Sequence, residues 1–570
     1  MTEQLIRSFN TVGVCDPKFH YMLPVIPRLP DITDMIEGRF YFVIHSPRQS
    51  GKTTLLKSLA SKINSEDRYY AIFCDLSPLG DTLDVGIAMD QAVTRINIGL
   101  QSAGVKELKR LAYAFNSEPY MVDAVGKVQS ILSDLSEALD RELIVFFDEA
   151  DCLQEAPLLM FLSQIKAGFN DRSGSQGSKF PRSMALIGMR DIKDYLTMVW
   201  KPSDPKGPEG SPFNVKKESL TLPDFTRDEI MALYRQRTEE TGQIFEEEAI
   251  DSAWRWSEGQ PWLVNALAYE ATVRQLENDR SATVTGDCID RAARAMLLRD
   301  EAHFGSLKNR LREPRVRMVM EAVLFAPTFL ADDFPDEDLS YAVDLGLLKS
   351  DSADGGSLRP ANPIYRELTI RTMTDWLRKK MPQDLPGKWM DGISLDMDGL
   401  LKAFQTLWRE NSVSLAEAYR LDFQVQESVA LALEKFSPID VQSVDNSIIE
   451  NIRIRKAAKY NEIFAQLVLI SYLDRASNGG ADVFREYPPG NGRVDICVIY
   501  QGKKYLIGIK IKGVQNMDES LRQLHGYMDR AESSVGWLVV FDPDFKKPWK
   551  DKILWDSKPY GSKTIRTVGC

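Results

Sequence analysis

With 570 residues, 44% of them hydrophobic and 27% charged, the chain is too long for one core and calls for roughly three to four domains. A formal net charge of −11 argues against a surface basic throughout, as a general nucleic-acid or membrane platform would need, although a local basic face fits inside such a total. The six cysteines stand singly, with no CxxC pair or histidine cluster, and no stretch reaches the 18 or so apolar residues of a membrane span. A disulfide framework, a zinc site and a membrane partner are therefore not expected, and a cytoplasmic protein is.

Short apolar runs alternate with helical patterns through the first 220 residues: Phe40 to Ile44, Tyr70 to Cys74, Leu143 to Phe147, Met184 to Ile187 and Ser219 to Leu222. They are apolar at nearly every position, as strands covered on both faces are, so a parallel sheet with helices on both sides is predicted. Gly/Ser/Pro-rich stretches at 171–183 and 201–213 read as loops. From about 225 the pattern turns helical, predicting a lid. Residues 315–368 read as helices followed by a β-hairpin, the outline of a winged helix. After Pro382, Pro386 and Gly387 comes a second helical stretch, then strand runs near Phe484, at Val494 to Tyr500 and at Tyr505 to Lys512, a helix from about Glu519 and a strand at Trp537 to Phe541. The expected divisions are an N-terminal extension (1–35), a core (36–224), a lid (225–300), a winged-helix-like domain (301–375), a helical linker region (376–454) and a terminal αβ domain (455–570).

Residues 46–54, Ser46-Pro47-Arg48-Gln49-Ser50-Gly51-Lys52-Thr53-Thr54, lie between a strand and a helix and match a phosphate-binding loop, G-x-x-x-x-G-K-[ST], except that Ser46 replaces the first glycine. Gly51 lets the backbone approach phosphates, Lys52 brings charge to the β and γ groups, and the Thr53 hydroxyl can ligate Mg²⁺. A strand ending in Asp148-Glu149 supplies the other half: Asp148 for Mg²⁺ and Glu149 to polarise the attacking water. ATP and Mg²⁺ are the expected cofactors. Arg190 follows the fourth run, where it would sense the γ-phosphate or form an ordinary ion pair. Pro261, after Gly259-Gln260, either caps the base or merely opens a helix.

From FNTVGVCDPKFHYMLP through FVIHSPRQSGKTT, IVFFDEAD, LIGMRDIKDY, EGQPWLVNALA and NPIYREL, the chain resembles bacterial AAA-like (AAA/STAND-type) ATPases that carry a C-terminal PD-(D/E)XK nuclease-superfamily domain. The resemblance runs from about residue 8 to 542. It implies a P-loop ATPase core with helical lid and winged helix, plus a restriction-endonuclease-like α/β domain. On that domain's pattern, Asp495 falls on the Asp position, Lys510 on the Lys position, Glu462 on an upstream helix Glu and Gln523 on a polar position near the metal. Gly508 stands where the motif has Glu, which removes one metal-binding carboxylate. Three readings stay open: a dead module that binds nucleic acid, a migrated site using Glu462 or Glu486, or an isolated Glu-to-Gly change. Residues 545–570 carry seven Lys/Arg against two Asp, with Trp549, Trp555 and Tyr560 between them, which suits a nucleic-acid backbone or a solvated basic tail. Asp332, Asp333, Asp336, Glu337 and Asp338 would repel phosphates from the winged helix. DNA or RNA, and further copies of the chain, are the expected partners. The rival expectation is a signalling ATPase whose terminal domain binds protein.

Overall fold

The computed structural model describes residues 7–24, 28–80, 82–117, 123–172, 178–189, 216–299, 302–325, 334–351, 357–380, 389–422, 465–477, 480–487, 494–512, 516–542 and 547–570. Two compact units result: Met1–Arg299 with Ser340–Lys349 and Ala361–Pro363, and Asp300–Leu339 with Ser350–Pro360 and Ile364–Cys570. The six cysteines are free thiols. Among the described residues no helix is long and apolar enough to cross a membrane.

In the first unit, in chain order, come α1 (Asp31–Glu37), β1 (Tyr41–His45), α2 (Lys52–Ser65), β2 (Tyr70–Asp75), α3 (Val85–Ser102), α4 (Lys106–Ser117), α5 (Lys127–Ala138), β3 (Leu143–Asp148), α6 (Glu155–Arg172), β4 (Ser183–Gly188) and β5 (Lys216–Thr221). The strands form one parallel sheet in the order β2-β3-β4-β1-β5. Its period of two sorts side chains into two cores. Tyr41, Val43, Ile72, Val145, Phe147 and Leu186 face α3, α5 and α6, while Phe42, Ile44, Ala71, Ile144, Phe146 and Ile187 face α1 and α2. Covering both faces is what makes the runs of β1 to β4 largely apolar, as expected from the sequence, whereas the edge strand β5 begins Lys216-Lys217-Glu218.

The region expected as a lid is helical: α7 (Arg227–Thr241), α8 (Glu247–Ser257), α9 (Pro261–Tyr269) with a π turn at Glu270–Gln275, and α10 (Gly286–Leu298). Thr226 and Glu229 close a capping box at the start of α7, and Gln260 caps α9 ahead of Pro261 at its first turn.

Beyond it lie α11 (Ala302–Arg310), α12 (Pro314–Phe325), α13 (Asp336–Asp344), β6 (Leu348–Asp351), β7 (Ser357–Pro360) and α14 (Pro363–Lys380). β6 and β7 pair as a two-stranded sheet, so the expected order of helices and hairpin is present.

The second unit then has α15 (Met397–Asp422), α16 (465–477), β8 (Asp482–Tyr487), β9 (Val494–Tyr500), β10 (Lys503–Ile511), α17 (Met517–Arg530), β11 (Val535–Phe541), β12 (Leu554–Tyr560) and β13 (Lys563–Gly569). Its sheet order is β12-β13-β11-β10-β9-β8. β9 and β10 are antiparallel, whereas β10 and β11, joined through α17, are parallel. Leu521, Leu524 and Met528 of α17 cover one face with Leu506, Leu538 and Val540, and the rings of Phe404, Trp408 and Phe541 meet on the other.

Residues 545–570 are not a solvated tail over their described part: β12 and β13 complete the sheet, β13 beside β11 and β12 at the edge. On the edge strand itself stand Asp556 and Lys558, where charge discourages pairing with another chain. Lys552 is buried, and Lys547, Lys563 and Arg566 pair with Asp542, Asp529 and Asp398.

Candidate active site

The loop at Ser46–Gly51 joins the C-terminal end of β1 to the N-terminus of α2, where free N–H groups and the helix dipole meet an anion. Its left-handed turns fall at Gln49 (φ 59°) and Gly51 (φ 93°), and Ser46 is not among the residues with positive φ. A serine therefore serves at the position where the motif has glycine. It is buried, and its Oγ donates to the Leu222 carbonyl at 3.3 Å. Ser50 is buried as well, and its Oγ has no hydrogen-bond partner among the described residues.

Lys52 lies against the loop, its Nζ donating to the carbonyls of Ser46 at 2.5 Å and Pro47 at 2.8 Å. Burial pushes its pKa down, opposed by the charges of Glu149, Asp148 and Asp151. The two sequence motifs meet directly: Thr53 Oγ1 donates to Asp148 Oδ2 at 2.5 Å. Asp148 is buried at the end of β3, and its carboxyl pKa is raised, mainly by desolvation and against the Thr53 hydrogen bond and Lys52. Glu149 follows in the left-handed region at φ 54°, a conformation costly for a residue with a β-carbon. Desolvation and the charges of Asp151 and Asp148 raise its pKa too. The Cys152 thiol donates to Glu149 Oε2 at 3.9 Å.

Because β4 lies between β1 and β3, the end of β4 sits between the loop and the acidic pair. There Met189 N donates to Asp151 Oδ2 at 3.2 Å. Arg190, next along the chain, lies outside the described residues, as does Glu462.

Sequence reasoning missed the roof of the site. Residues 10–15 lie over α2, with Cys15 N donating to Thr54 Oγ1 at 3.1 Å and Trp262 Nε1 donating to the Thr11 carbonyl at 2.9 Å. A cavity of about 460 Å³ results, bounded by this segment, by Arg48–Leu55, by Glu149 and by Pro261, Trp262 and Asn265. That volume lies in the range of small-ligand sites. Pro261 both opens α9 and lines the cavity, and Gln260 Nε2 reaches the Gln49 carbonyl at 3.4 Å. The signal for the roof is faint: Asn10 Nδ2 donates to Gly13 O, and Gly13 takes φ 70°, so NTVG is a turn.

In the second unit, Ile509 N donates to Asp495 Oδ2 at 2.6 Å, tying Asp495 of β9 to β10 beside Gly508. Lys510 lies two residues along β10, paired with Val540. Gln523 is exposed, and its Nε2 donates to the Tyr527 hydroxyl at 2.9 Å. Glu486 is on β8. Among the described residues no group of three or more His, Cys, Asp or Glu could hold a metal.

No family model and no curated protein matches the chain. Solved structures similar to part of it include the Walker-type ATPase PABY2304 of Pyrococcus abyssi, 16% identical over 63% of this chain and 99% of that one, at a TM-score of 0.42. The ORC2 protein of Aeropyrum pernix, in ADPNP–ADP complexes, is 13% identical over 62% and 92%, with TM-score 0.36. The RuvB Holliday junction branch migration motor of Thermotoga maritima is 14% identical over 61% and 95%, with TM-score 0.33. Such scores leave the reading of the site to the chain's own geometry.

Proposed function

We propose that the chain binds and hydrolyses ATP with Mg²⁺ at the β1–α2 loop, and that nucleotide state controls a terminal nuclease-type domain that binds DNA or RNA. The observation that carries the first part is the 2.5 Å hydrogen bond between Thr53 and Asp148, which joins the two motifs at one sheet edge. The residues fit the ligand: Gly51 and the α2 N-terminus for phosphate, Lys52 for its charge, and the unpartnered Ser50 hydroxyl within the loop. Mg²⁺ keeps most of its waters and takes few protein oxygens, so Thr53 and Asp148 suffice beside phosphate. When bound, the ion neutralises charge developing on the transferred phosphoryl group.

In this reading Glu149 accepts a proton from, or orients, the attacking water, and burial beside Asp151 makes its carboxylate more basic than usual. Arg190, by its place after β4, is proposed to contact the γ-phosphate. The segments around α12–β7 are read as a winged helix, and β8–β11 with α17 as the nuclease-type core. Gly508 withholds one motif carboxylate, so that domain is read as binding rather than cutting.

The ion pairs holding Lys547, Lys563 and Arg566 favour a second reading, in which the terminal domain contacts protein. ATP turnover with and without DNA or RNA, in wild type and Glu149→Gln, tests both. Normal turnover in Glu149→Gln would remove the proposed role of that carboxylate. Turnover unmoved by nucleic acid favours the protein-binding reading.

A further inference from the structure

Asn265 lies one turn into α9, is 7% exposed, and lines the cavity above the phosphate loop. Its amide orientation is fixed by its neighbour: Nδ2 donates to the Pro261 carbonyl at 2.8 Å, since a carbonyl accepts only from the nitrogen end. That leaves Oδ1, buried and with no hydrogen-bond partner among the described residues. A buried acceptor left unpaired is destabilising, because it has given up water without gaining a donor. A group arriving in the cavity that donates to it recovers that cost.

We infer that Asn265 is a specificity-determining residue that accepts a hydrogen bond from the exocyclic amino group of adenine. The inference rests on the ATP reading of the site. Phosphate oxygens are acceptors and gain nothing from an amide oxygen. Among a nucleotide's donors, ribose hydroxyls can keep water at a pocket mouth, whereas the flat base needs the apolar interior. The cavity supplies that interior with buried Phe225 and Leu233 and half-buried Trp262, while Val12 and Val14 stand at its exposed rim. Guanine and hypoxanthine present a carbonyl oxygen at C6 in place of the amine, so two acceptors would face each other. A site built around one donor discriminates strongly, because the wrong ligand leaves the buried partner unpaired.

The test is a double-mutant cycle between ligand and protein, read by calorimetric titration in Mg²⁺. ATP, purine riboside triphosphate (hydrogen at C6), inosine triphosphate, GTP and 2′- and 3′-deoxy ATP are titrated into wild type, Asn265→Ser and Asn265→Ala. Serine can still donate to the Pro261 carbonyl but withdraws the amide acceptor, and alanine provides a second variant should serine perturb the helix. Expected is wild-type affinity for ATP on the order of tenfold or more above purine riboside and inosine triphosphates, falling to about equal affinity in both variants, with both deoxy-ATPs, which keep the amino group, losing as much affinity on substitution as ATP does. A wild-type preference that survives in both variants, equal wild-type affinities, tighter GTP binding, or a loss carried by the ribose hydroxyls overturns the assignment while leaving nucleotide binding intact. Absence of binding of every triphosphate to wild type instead overturns the ATP reading itself.

Discussion

Gly346 presses on Pro47 of the phosphate loop: a β-carbon at 346 would lie 2.6 Å from Pro47 Cβ and 3.0 Å from its Cγ. Gly346 also takes φ +75°, so the backbone there favours glycine on two counts. Nearby, Lys349 Nζ reaches Asp224 at 2.6 Å and the Glu258 carbonyl at 3.1 Å, which fixes the segment against the end of α8. Gly346→Ala is expected to weaken ATP binding on the order of tenfold, because the ring of Pro47 can yield only by moving the loop. Gly104→Ala is the matched control, since Gly104 has φ +76° and nothing within 4 Å of a β-carbon. It should cost stability through the left-handed backbone, about 1–2 kcal/mol, and leave ATP affinity unchanged. Equal loss of affinity in both variants would contradict a direct effect through Pro47.

The pH dependence of turnover follows from Glu149. Desolvation, then the charges of Asp151 and Asp148, raise its pKa above the ordinary 4.5. A group that must be ionised to accept a proton works only above its own pKa, so the acid limb of the kcat/KM profile should lie above the usual carboxylate range. Asp151→Asn removes one like charge while keeping an oxygen for Met189 N, and should move that limb down toward 4.5. A limb that does not move in Asp151→Asn assigns the titration to another group.

The core of the sheet was legible because burial on both faces imposes long apolar runs, and the Thr53–Asp148 juxtaposition because each belongs to its own short motif ending or following a strand. The roof was not. Thr11 and Cys15 act through backbone carbonyl and N–H, which leave no side-chain signature, and Asn265 sits in a helix whose pattern reads as ordinary core. Strands β12 and β13 were hidden for another reason. The edge strand carries Trp555, Asp556, Lys558 and Tyr560 and its neighbour Lys563 and Arg566, the kinds of residue that a nucleic-acid-binding tail also carries.

Magnesium affinity should depend on charge at 148 and on a hydroxyl at 53. Asp148→Asn preserves an acceptor for the Thr53 hydroxyl but removes the negative charge, so Mn²⁺ binding in the presence of ATP, followed by electron paramagnetic resonance, should weaken at least about tenfold. Thr53→Ser keeps the hydroxyl and should stay close to wild type, whereas Thr53→Ala should not. Unchanged Mn²⁺ affinity in Asp148→Asn would place the ion elsewhere.

Restoring the motif glutamate at 508 asks whether the terminal domain still holds the frame of a metal site. A β-carbon there would lie 3.9 Å from Asp495 Oδ2 and 3.1 Å from Leu538 Cδ1, the end of a side chain that can turn aside. Gly508→Glu should therefore fold, and leaving glycine out of a strand interior offsets part of any crowding. Two adjacent carboxylates repel without a cation, so the variant should gain thermal stability from Mn²⁺ or Mg²⁺ that the natural chain does not show. Lys510, two residues along the same strand, stands where the nuclease pattern has its lysine, so metal-dependent cutting of DNA or RNA by the variant alone would identify the natural domain as a nuclease silenced by one residue. Metal-dependent stabilisation without cutting would keep the frame and locate the loss of activity elsewhere as well. A melting midpoint that ignores both metals would show that Asp495 and position 508 do not converge on an ion, leaving the Ile509 N–H as the structural reason for an aspartate at 495.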